Sequence, residues 1–355
     1  MIKLLIVDDS ALMRRQLSAL FEAERDFEIR LARNGREAIL ENNTFCPDVI
    51  TLDINMPEMD GLTALSMIMA ERPVPVVMIS SLTEKGALAT FEALNLGAVD
   101  YVVKPGGTIS LSLEGIRDTV ISKVRMAAKV RIKPALVRTP IQRDPKWGTE
   151  PPVALKVKTA GVLKGEGIVL MGVSTGGPRT LECILPQLPA HFPWPVLVAQ
   201  HMPARFTESF AQRMNDLCPL QVIEVARPMA LKAGTVYIGK GGADMQVVMR
   251  AGQRTVIPKP ESADFLWHPS VELLGRSVLP LYAPENVLAV MLTGMGYDGA
   301  DAFAQIHKKG GRTIAESQDS AVVFGMPAEL IKRGGATVTL HAEKIALQIN
   351  AWLGC

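Results

Sequence analysis

Residues 167–178 read GIVLMGVSTGGP, an apolar segment that runs directly into a glycine-rich turn. The turn holds Ser174 in a Gly-x-Ser-x-Gly frame formed by Gly172 and Gly176. A serine hydroxyl becomes a useful nucleophile when a tight turn presents it at a strand end, beside a base and backbone N–H donors. The segment therefore predicts a strand, a turn and a helix, with Ser174 as a candidate nucleophile. A turn without any catalytic role is the alternative that this motif alone leaves open.

Two further apolar segments end in the residue types that a hydrolytic serine requires. PVLVAQH places His201 at the end of a predicted strand. NVLAVMLTGMGYD places Asp298 just past another strand, in a glycine-rich loop before a helix. Because the carboxyl ends of parallel strands share one edge of a sheet, we expect Ser174, His201 and Asp298 to converge there. The serine would attack, the histidine would accept and return the proton, and the aspartate would orient the imidazole.

Each of these partners has a structural alternative. A histidine at a strand end often serves packing, and Asp298 could cap the first turn of the following helix. His268 competes for the role of base because HPSVELLG opens a predicted helix, although His268 could also line the pocket or cap that helix. The order Ser–His–Asp differs from the Ser–Asp–His order of α/β-hydrolases, which indicates a separate arrangement of strands.

Composition restricts the possible class of protein. A length of 355 residues predicts two domains, and a formal net charge of +2 does not suggest a nucleic-acid partner. The four cysteines are scattered without a C-x-x-C pair, which predicts neither a disulfide framework nor a zinc site. No apolar run approaches 18 residues, and the amino terminus lacks a signal-peptide pattern. We therefore expect a cytoplasmic protein without direct membrane insertion.

The amino-terminal part alternates short apolar strands with helical patterns. A helix is predicted over residues 11–24, with Ser10 as its N-cap. This alternation predicts a doubly wound parallel sheet. The predicted strands are 3–7, 27–32, 49–52, 74–79 and 101–103.

The ends of these strands carry polar residues that could form one site. Asp8 and Asp9 follow the first strand and Asp53 ends the third. Three carboxylates at one edge repel one another unless a cation lies between them, and Mg²⁺ prefers such oxygen ligands. One carboxylate could then attack a phosphoryl donor, while Lys104 and Ser80 would contact the transferred group. A solvated acidic edge with ordinary helix caps is the alternative.

These segments resemble the receiver domain of bacterial two-component systems. The matching motifs are LLIVDDS, DVITLDINMPEMDG, PVVMISS and DYVVKP. The resemblance implies that Asp53 is the phosphoacceptor and that Asp8 and Asp9 bind the metal with it. It also assigns a metal-binding backbone carbonyl to Asn55 and a phosphoryl-sensing role to Ser80, Lys104 and Tyr101.

The periodic pattern breaks after this domain. The window from Lys129 to Lys164 holds five prolines and nine Lys or Arg residues, but only Asp144 and Glu150 as acids. Proline removes a backbone donor and restricts φ, so a regular element is improbable there. We predict a semi-extended tether over residues 126–164, most simply a solvated linker, although its charge could contact an acidic surface.

Nearly the whole chain resembles the chemotaxis response-regulator protein-glutamate methylesterases, the CheB family. The motifs in the second half are GVSTGGP, QHMP, RFTESFAQRM, HPSVELL, TGMGYDG and VVFGMP. The resemblance implies an α/β protein with two doubly wound parallel-sheet domains. These would be a flavodoxin-like receiver at residues 1–125 and a Rossmann-like methylesterase domain at residues 165–355.

The resemblance also implies an activity. Members hydrolyse glutamate γ-methyl esters on the cytoplasmic helices of methyl-accepting chemoreceptors, releasing methanol, and many deamidate receptor glutamines. Thr175 and Met295 would support the oxyanion, and the esterase reaction would need no cofactor. A chemotaxis histidine kinase would phosphorylate Asp53 with the help of Mg²⁺, which would weaken a contact by which the receiver restricts access to the serine.

One position departs from the usual family pattern. Tyr297 stands before Asp298 where asparagine is common. The larger side chain leaves open a reading in which the same triad acts on a receptor outside chemotaxis. A phosphorylation-controlled module that binds receptors without catalysis is a third reading, which the set of Ser174, His201 and Asp298 disfavours.

Overall fold

The computed structural model describes residues 1–81, 83–104, 116–132, 163 and 165–355. The chain divides into two compact units, Met1–Leu155 and Lys156–Cys355. The division falls within the predicted linker, and most of that linker, residues 133–162 and 164, lies outside the described residues.

The first unit contains a five-stranded parallel sheet with the order β2-β1-β3-β4-β5. Its strands are β1 (Ile2–Val7), β2 (Phe27–Ala32), β3 (Val49–Asp53), β4 (Val76–Ser80) and β5 (Asp100–Val103). Its helices are α1 (Ala11–Glu22), α2 (Gly35–Phe45), α3 (Gly61–Glu71), α4 (Glu84–Leu96) and α5 (Arg117–Ala127). The predicted α/β fold of this region is confirmed.

Local sequence explains where these elements begin and end. Ser10 caps α1, because its hydroxyl accepts the N–H of Met13 at 3.3 Å. The strands β3 and β4 are buried along their whole length, as expected for parallel strands covered on both faces. After β2 is added on one side of β1, the later strands β3 to β5 are added on the other side, which places Asp8 and Asp53 at the switch point of the parallel sheet.

The second unit is built on a seven-stranded parallel sheet with the order β15-β14-β13-β6-β7-β10-β8. Its strands are β6 (Ile168–Val173), β7 (Val196–Gln200), β8 (Gln221–Val225), β10 (Thr235–Gly239), β13 (Val287–Met291), β14 (Arg312–Glu316) and β15 (Val338–Leu340). Its helices are α6 (Gly177–Ile184), α7 (Ala204–Leu217), α8 (Val271–Val278), α9 (Ala300–Lys308), α10 (Met326–Lys332) and α11 (Ala342–Leu353).

A small antiparallel sheet in this unit was not predicted from the sequence. It has the order β11-β12-β9, with β9 (Met229–Ala230), β11 (Asp244–Arg250) and β12 (Gln253–Lys259). Ala251 and Gly252 connect β11 to β12 with φ angles of 48° and 76°, as a two-residue hairpin turn requires. An alanine at the first position obscured this turn, because the usual signal is Asn-Gly or Asp-Gly.

The strand β6 is the topological centre of the second unit. Its neighbours are β7 on one side and β13 on the other, and all three strands are fully buried. The chain first builds outward from β6 through β7 and later returns to the opposite side with β13. The crevice at the carboxyl ends of these three strands is therefore the expected ligand site of the sheet.

Candidate functional site

The nucleophile candidate lies at the carboxyl end of β6. The N–H of Ser174 donates to the carbonyl of Thr293 at 2.9 Å, which ties the turn to the segment after β13. Gly176 has a φ of 78°, and a Cβ at this position would lie 2.6 Å from the side chain of Val322. Only glycine fits this turn, after which α6 begins at Gly177. Ser174 thus sits half-buried immediately before a helix amino terminus.

The histidine and the aspartate of the predicted triad meet as expected. The N–H of His201 donates to the Val173 carbonyl at 3.1 Å, so His201 follows β7 directly beside the end of β6. The Nε2 atom of His201 lies 2.9 Å from Oδ2 of Asp298. The other ring nitrogen, Nδ1, is buried and has no hydrogen-bond partner among the described residues. The hydroxyl of Ser174 is therefore not bonded to Nδ1 in this structure, and Nδ1 is the nitrogen that can accept a proton.

Asp298 is held by four donors. Its Oδ2 accepts the N–H of Val271 at 2.7 Å besides the bond to His201. Its Oδ1 accepts the hydroxyl of Ser270 at 3.1 Å and the N–H of Glu272 at 3.0 Å. The sequence suggested that Asp298 could cap the helix that follows it, α9. Its carboxylate does accept first-turn N–H groups of a helix, but that helix is α8. The same hydrogen bonds that cap α8 fix the carboxylate against the imidazole.

One glycine allows this helix to approach the catalytic strand. A Cβ on Gly172 in β6 would lie 2.4 Å from the side chain of Val271, the first residue of α8. The missing side chain thus brings the amino terminus of α8, and with it Asp298, close to β6. The first glycine of the Gly-x-Ser-x-Gly frame has a packing purpose here.

His268 pairs with a different acid. Its Nδ1 lies 2.9 Å from Oδ1 of the buried Asp244, which also accepts the N–H of Ser270 at 2.8 Å. The helix that His268 was expected to open begins three residues later at Val271, with Ser270 as its N-cap. His268 therefore does not compete with His201 for Asp298. The pair of His268 and Asp244 instead fixes the segment that leads into α8.

An aromatic wall borders the histidine. The indole of Trp267 stacks on His201 with ring centroids 6.1 Å apart and an interplanar angle of 9°. Tyr297 meets Trp267 edge-on at 5.2 Å, and half of the Tyr297 residue surface is exposed. Sequence reasoning identified Tyr297 but missed Trp267, which lies in an irregular loop without any periodic signal. This wall forms an apolar border beside the imidazole.

The two residues suggested for oxyanion support lie on segments next to the serine. Thr175 directly follows Ser174 and is buried, and its carbonyl accepts the hydroxyl of Thr293 at 2.9 Å. Met295 lies in the loop between β13 and α9, one residue after Gly294. A Cβ on Gly294 would lie 2.8 Å from Cβ of Ser174, so this loop passes close to the nucleophile. The oxyanion roles of Thr175 and Met295 stay predictions.

In the first unit, the three predicted acids share one edge of the sheet. Oxygen atoms of Asp8, Asp9 and Asp53 all lie within 4.8 Å of one another. The Nζ atom of Lys104 lies 3.0 Å from Oδ2 of Asp8 and 2.9 Å from Oδ2 of Asp53. The lysine thus provides positive charge between two buried carboxylates.

Burial and charge shift the pKa values of this cluster. Burial raises the pKa of Asp53 to about 6; the ammonium of Lys104 opposes the shift, and the charge of Asp8 adds to it. Burial acts to lower the pKa of Lys104, but the hydrogen bond and charge of Asp53, together with Asp8, leave that pKa raised. The cluster therefore holds more negative charge than one lysine balances.

The donor set fits a hard divalent cation. Oδ2 of Asp8 is buried, and the Lys104 ammonium 3.0 Å from it is shared with Asp53. Carboxylate oxygens at this mutual spacing are ligands that Mg²⁺ prefers. The residues present therefore fit the metal. Asn55, which the resemblance adds through its carbonyl, is exposed just after β3.

The phosphoryl-sensing candidates lie on the neighbouring strands. Ser80 ends β4 and is buried, with its hydroxyl donating to the carbonyl of Gly86 at 3.1 Å and accepting from Thr90 at 2.8 Å. Tyr101 lies in β5 with its ring buried and the Nζ of Lys123 5.0 Å from the ring centroid. Burial raises the pKa of Tyr101 well above its usual range. The sensing roles of Ser80 and Tyr101 stay predictions.

Comparison with known proteins assigns a family to each of the two regions. Residues 4–113 match the response regulator receiver domain family, and residues 169–349 match the CheB methylesterase family. The chain belongs to the CheB methylesterase family. Its receiver domain implies phosphorylation by a phosphodonor kinase, usually with Mg²⁺.

Relatives of the same family match over nearly the full chain. The protein-glutamate methylesterase/protein-glutamine glutaminase 3 of Rhodospirillum rubrum is 54% identical over 99% of this chain and 96% of its own length. The corresponding protein 2 of Rhodopseudomonas palustris is 49% identical over 99% of this chain and 98% of its own length. Among solved structures, the CheB methylesterase catalytic domain of Thermotoga maritima is 36% identical, with a TM-score of 0.50, and the match covers 52% of this chain and 98% of that one. No helix among the described residues has the length and apolar character needed to cross a bilayer.

Proposed function

We propose that this chain is a phosphorylation-controlled serine hydrolase that demethylates glutamate γ-methyl esters of chemoreceptors and deamidates receptor glutamines. The observation that carries the proposal is the 2.9 Å contact between His201 and Asp298 at the end of β7, directly beside the strand that presents Ser174. The full-length match to protein-glutamate methylesterases/protein-glutamine glutaminases supports the substrate class. The proposed domains are a receiver at residues 1–125, a linker at 126–164 and a catalytic domain at 165–355.

In the proposed reaction, the Ser174 hydroxyl attacks the ester carbonyl while Nδ1 of His201 accepts its proton. Asp298 holds Nε2 and stabilises the imidazolium that forms. The oxyanion would be stabilised near Thr175 and Met295; one preorganised donor of this kind typically contributes about 10²–10³ in rate. The proton then passes to the departing methoxide, which leaves as methanol, and water hydrolyses the acyl-serine by the same proton transfers. With glutamine, ammonia leaves instead.

The proposed control lies in the first unit. Asp53 would take a phosphoryl group from a chemotaxis histidine kinase, with Asp8, Asp9, Asp53 and the carbonyl of Asn55 holding the metal. Bound Mg²⁺ would offset the negative charge that the carboxylates and the phosphoryl group bring together. A phosphoryl group adds about −1.5 to −2 charges, which Lys104 and the Ser80 hydroxyl would contact. To do so, the hydroxyl of Ser80 must leave the Gly86 carbonyl.

The test uses chemoreceptor membranes that carry tritiated methyl esters and measures volatile methanol with and without a small-molecule phosphodonor. Wild-type release should rise with the donor. Ser174→Ala should lower release by about 10⁶-fold, to background, while receptor binding persists. Asp53→Ala should keep basal release and lose the response to the donor.

Two variants outside the proposed sites serve as controls for the loss of a hydroxyl and of a carboxylate. Ser209→Ala removes a hydroxyl on α7, and Asp118→Ala removes an exposed acid on α5; both should behave as wild type. Receptor binding by the wild-type chain without any methanol release would reject the esterase proposal in favour of a binding module. Release that Ser174→Ala leaves intact would reject the assigned nucleophile.

A further inference from the structure

A second acid lies near the nucleophile but has no part in the proposed chemistry. Glu316 ends β14, one strand beyond β13, and its residue surface is fully buried. Burying a carboxylate is unfavourable unless hydrogen bonds replace its hydration. Burial raises the pKa of Glu316 to about 7, while the N–H of Thr293 and the hydroxyl of Ser320 oppose the shift. This buried acid connects two loops at the catalytic edge of the sheet.

The two carboxylate oxygens hold different segments. Oε2 accepts the N–H of Thr293, the second residue after β13, at 2.8 Å. Oε1 accepts the hydroxyl of Ser320 at 2.9 Å, and that hydroxyl in turn accepts the N–H of Ala342 at the start of α11. One side of Glu316 is therefore fixed by the surrounding structure, and the other side holds Thr293.

Thr293 contacts both residues of the nucleophile turn. Its carbonyl accepts the N–H of Ser174 at 2.9 Å, and its hydroxyl donates to the carbonyl of Thr175 at 2.9 Å. The same hydroxyl accepts the N–H of Val323 at 2.9 Å. Through this single residue, a displacement of the loop after β13 would reach the backbone on both sides of the Ser174 side chain.

We propose that Glu316 is a positioning residue that, through Thr293, holds the turn of Ser174 and Thr175 in its reactive arrangement. It contacts neither substrate nor the reacting atoms. The inference rests on the proposed function, because it assumes that Ser174 is the nucleophile. It adds a buried carboxylate, two strands away from β6, to the groups on which the reaction depends.

The contact with Thr293 requires an acceptor oxygen and not a negative charge. A proton on Oε1 could be donated to the Ser320 hydroxyl, which could then donate to the Ser317 carbonyl, 3.4 Å away. A glutamine side chain can make the same bonds, with its carbonyl toward Thr293 and its NH₂ group toward Ser320. A leucine side chain leaves the N–H of Thr293 buried without a partner.

The experiment compares full-length Glu316→Gln and Glu316→Leu with wild type. The matched control is Glu224→Leu, which removes a partly buried glutamate on the edge strand β8, where its Oε1 accepts the hydroxyl of Thr207 at 2.6 Å. The readouts are kcat and KM for a small glutamate γ-methyl ester, together with the rate at which a fluorophosphonate labels Ser174. Thermal unfolding reports the folded fraction of each variant.

Displacing reacting groups by about 1 Å can lower a rate by about 10²-fold. We therefore expect Glu316→Leu to lower kcat and serine labelling by roughly 10–100-fold with little change in KM. Glu316→Gln and Glu224→Leu should stay within about threefold of wild type, because both keep the acceptor of Thr293. Wild-type labelling rates in folded Glu316→Leu, or equal losses in the Gln and Leu variants, would overturn the inference.

If Glu316→Leu does not fold, a second pair of variants tests the same connection. Thr293→Val keeps the backbone bond to Glu316 but loses the hydroxyl that binds Thr175, whereas Thr293→Ser keeps the hydroxyl. Slow labelling in the valine variant with recovery in the serine variant supports the inference, and equal labelling in both overturns it. Wild-type protein that neither labels at Ser174 nor releases methanol rejects the proposed function itself, which is a separate result.

Discussion

The two switch points of this chain collect carboxylates in opposite ways. At the edge of the first sheet, Asp8, Asp9 and Asp53 lie close together, and the ammonium of Lys104 contacts two of the three carboxylates. At the edge of the second sheet, Asp298 stands with four donors. The first arrangement leaves negative charge for a cation to balance. The second surrounds a single carboxylate with donors that fix its orientation, so that in the proposed reaction its negative charge faces the ring of His201.

The largest effect that follows concerns Asp298. Asp298→Asn keeps the size of the side chain but replaces one acceptor oxygen with an NH₂ group, which conflicts with the donors around it. We expect kcat for a glutamate γ-methyl ester to fall by about 10⁴-fold. Thermal unfolding should also shift downward, because the same oxygens cap α8. Asp301→Asn, at an exposed acid in the first turn of α9, is the control. Activity near wild type in Asp298→Asn would show that the orientation of the Asp298 carboxylate does not matter for the reaction.

Lys104→Met tests whether the carboxylates of Asp8, Asp9 and Asp53 depend on a nearby cation. Removing one partner of a buried ion pair typically costs about 3–5 kcal/mol, because the remaining charge is left uncompensated. We expect the receiver to lose about this much free energy of unfolding without Mg²⁺ and to regain part of it when Mg²⁺ is added. Chemical denaturation with and without the ion measures both. The Asp298→Asn variant should show no such dependence beyond that of wild type, and an Mg²⁺ response of equal size in both variants would contradict the distinction.

Glu316 lies at the catalytic edge of the second sheet, but its pKa is raised like that of Asp53. Glu316→Gln, which cannot ionise, tests how the ionisation of Glu316 affects stability. Its pKa in the folded chain is about 7 against an ordinary value of 4.5, so the folded state binds the extra proton between these pH values. The resulting stability is fully present below about pH 4.5 and is lost as the pH rises through about 7.

The magnitude of this pH effect is about 3 kcal/mol for the catalytic unit. Chemical denaturation of wild type and of Glu316→Gln at pH 5 and pH 8 measures how much the free energy of unfolding of each protein changes with pH. Cys183, which the charge of Glu316 influences, has a pKa raised mainly by burial and stays neutral over this range. Parallel pH profiles for the two proteins would show that Glu316 does not titrate there.

The smallest effect concerns the exposed border of the catalytic edge. Tyr297→Asn removes the ring that meets Trp267 edge-on, but leaves the stacking of Trp267 on His201. We expect KM for receptor membranes to change by up to about tenfold, the scale of one aromatic contact. The kcat for a small methyl ester should stay near that of wild type. A larger effect on the small ester than on the receptor would place Tyr297 in the chemistry and not at its border.

The strand ends were the most predictable part of both sites. Parallel strands read as apolar runs, and the polar residue that follows each run marks the functional edge, as with Asp53 and His201. The boundaries of β1 to β5 shifted by at most two residues from the prediction. The fold class follows from the same alternation of strands and helices.

The contacts between distant loops could not be predicted in this way. The sequence left His201 and His268 as competing bases, because both follow or precede regular elements, and only their partners Asp298 and Asp244 distinguish them. Glu316 gave no signal, since an acid at a strand end normally suggests solvent. Such pairings depend on the spacing of elements that are far apart in the chain.

The packing of Gly172 against α8 has a consequence for substitutions at this position. Its hydrogen atom stands where a methyl group would press on the first residue of α8, so even an alanine there would act as a wedge between strand and helix. Because the N–H of Val271 bonds to Asp298, we expect a shift of Val271 to disturb the contact between Asp298 and His201 without altering any reacting group. We therefore expect Gly172→Ala to lower activity through packing, although glycine has no side chain that could take part in the reaction.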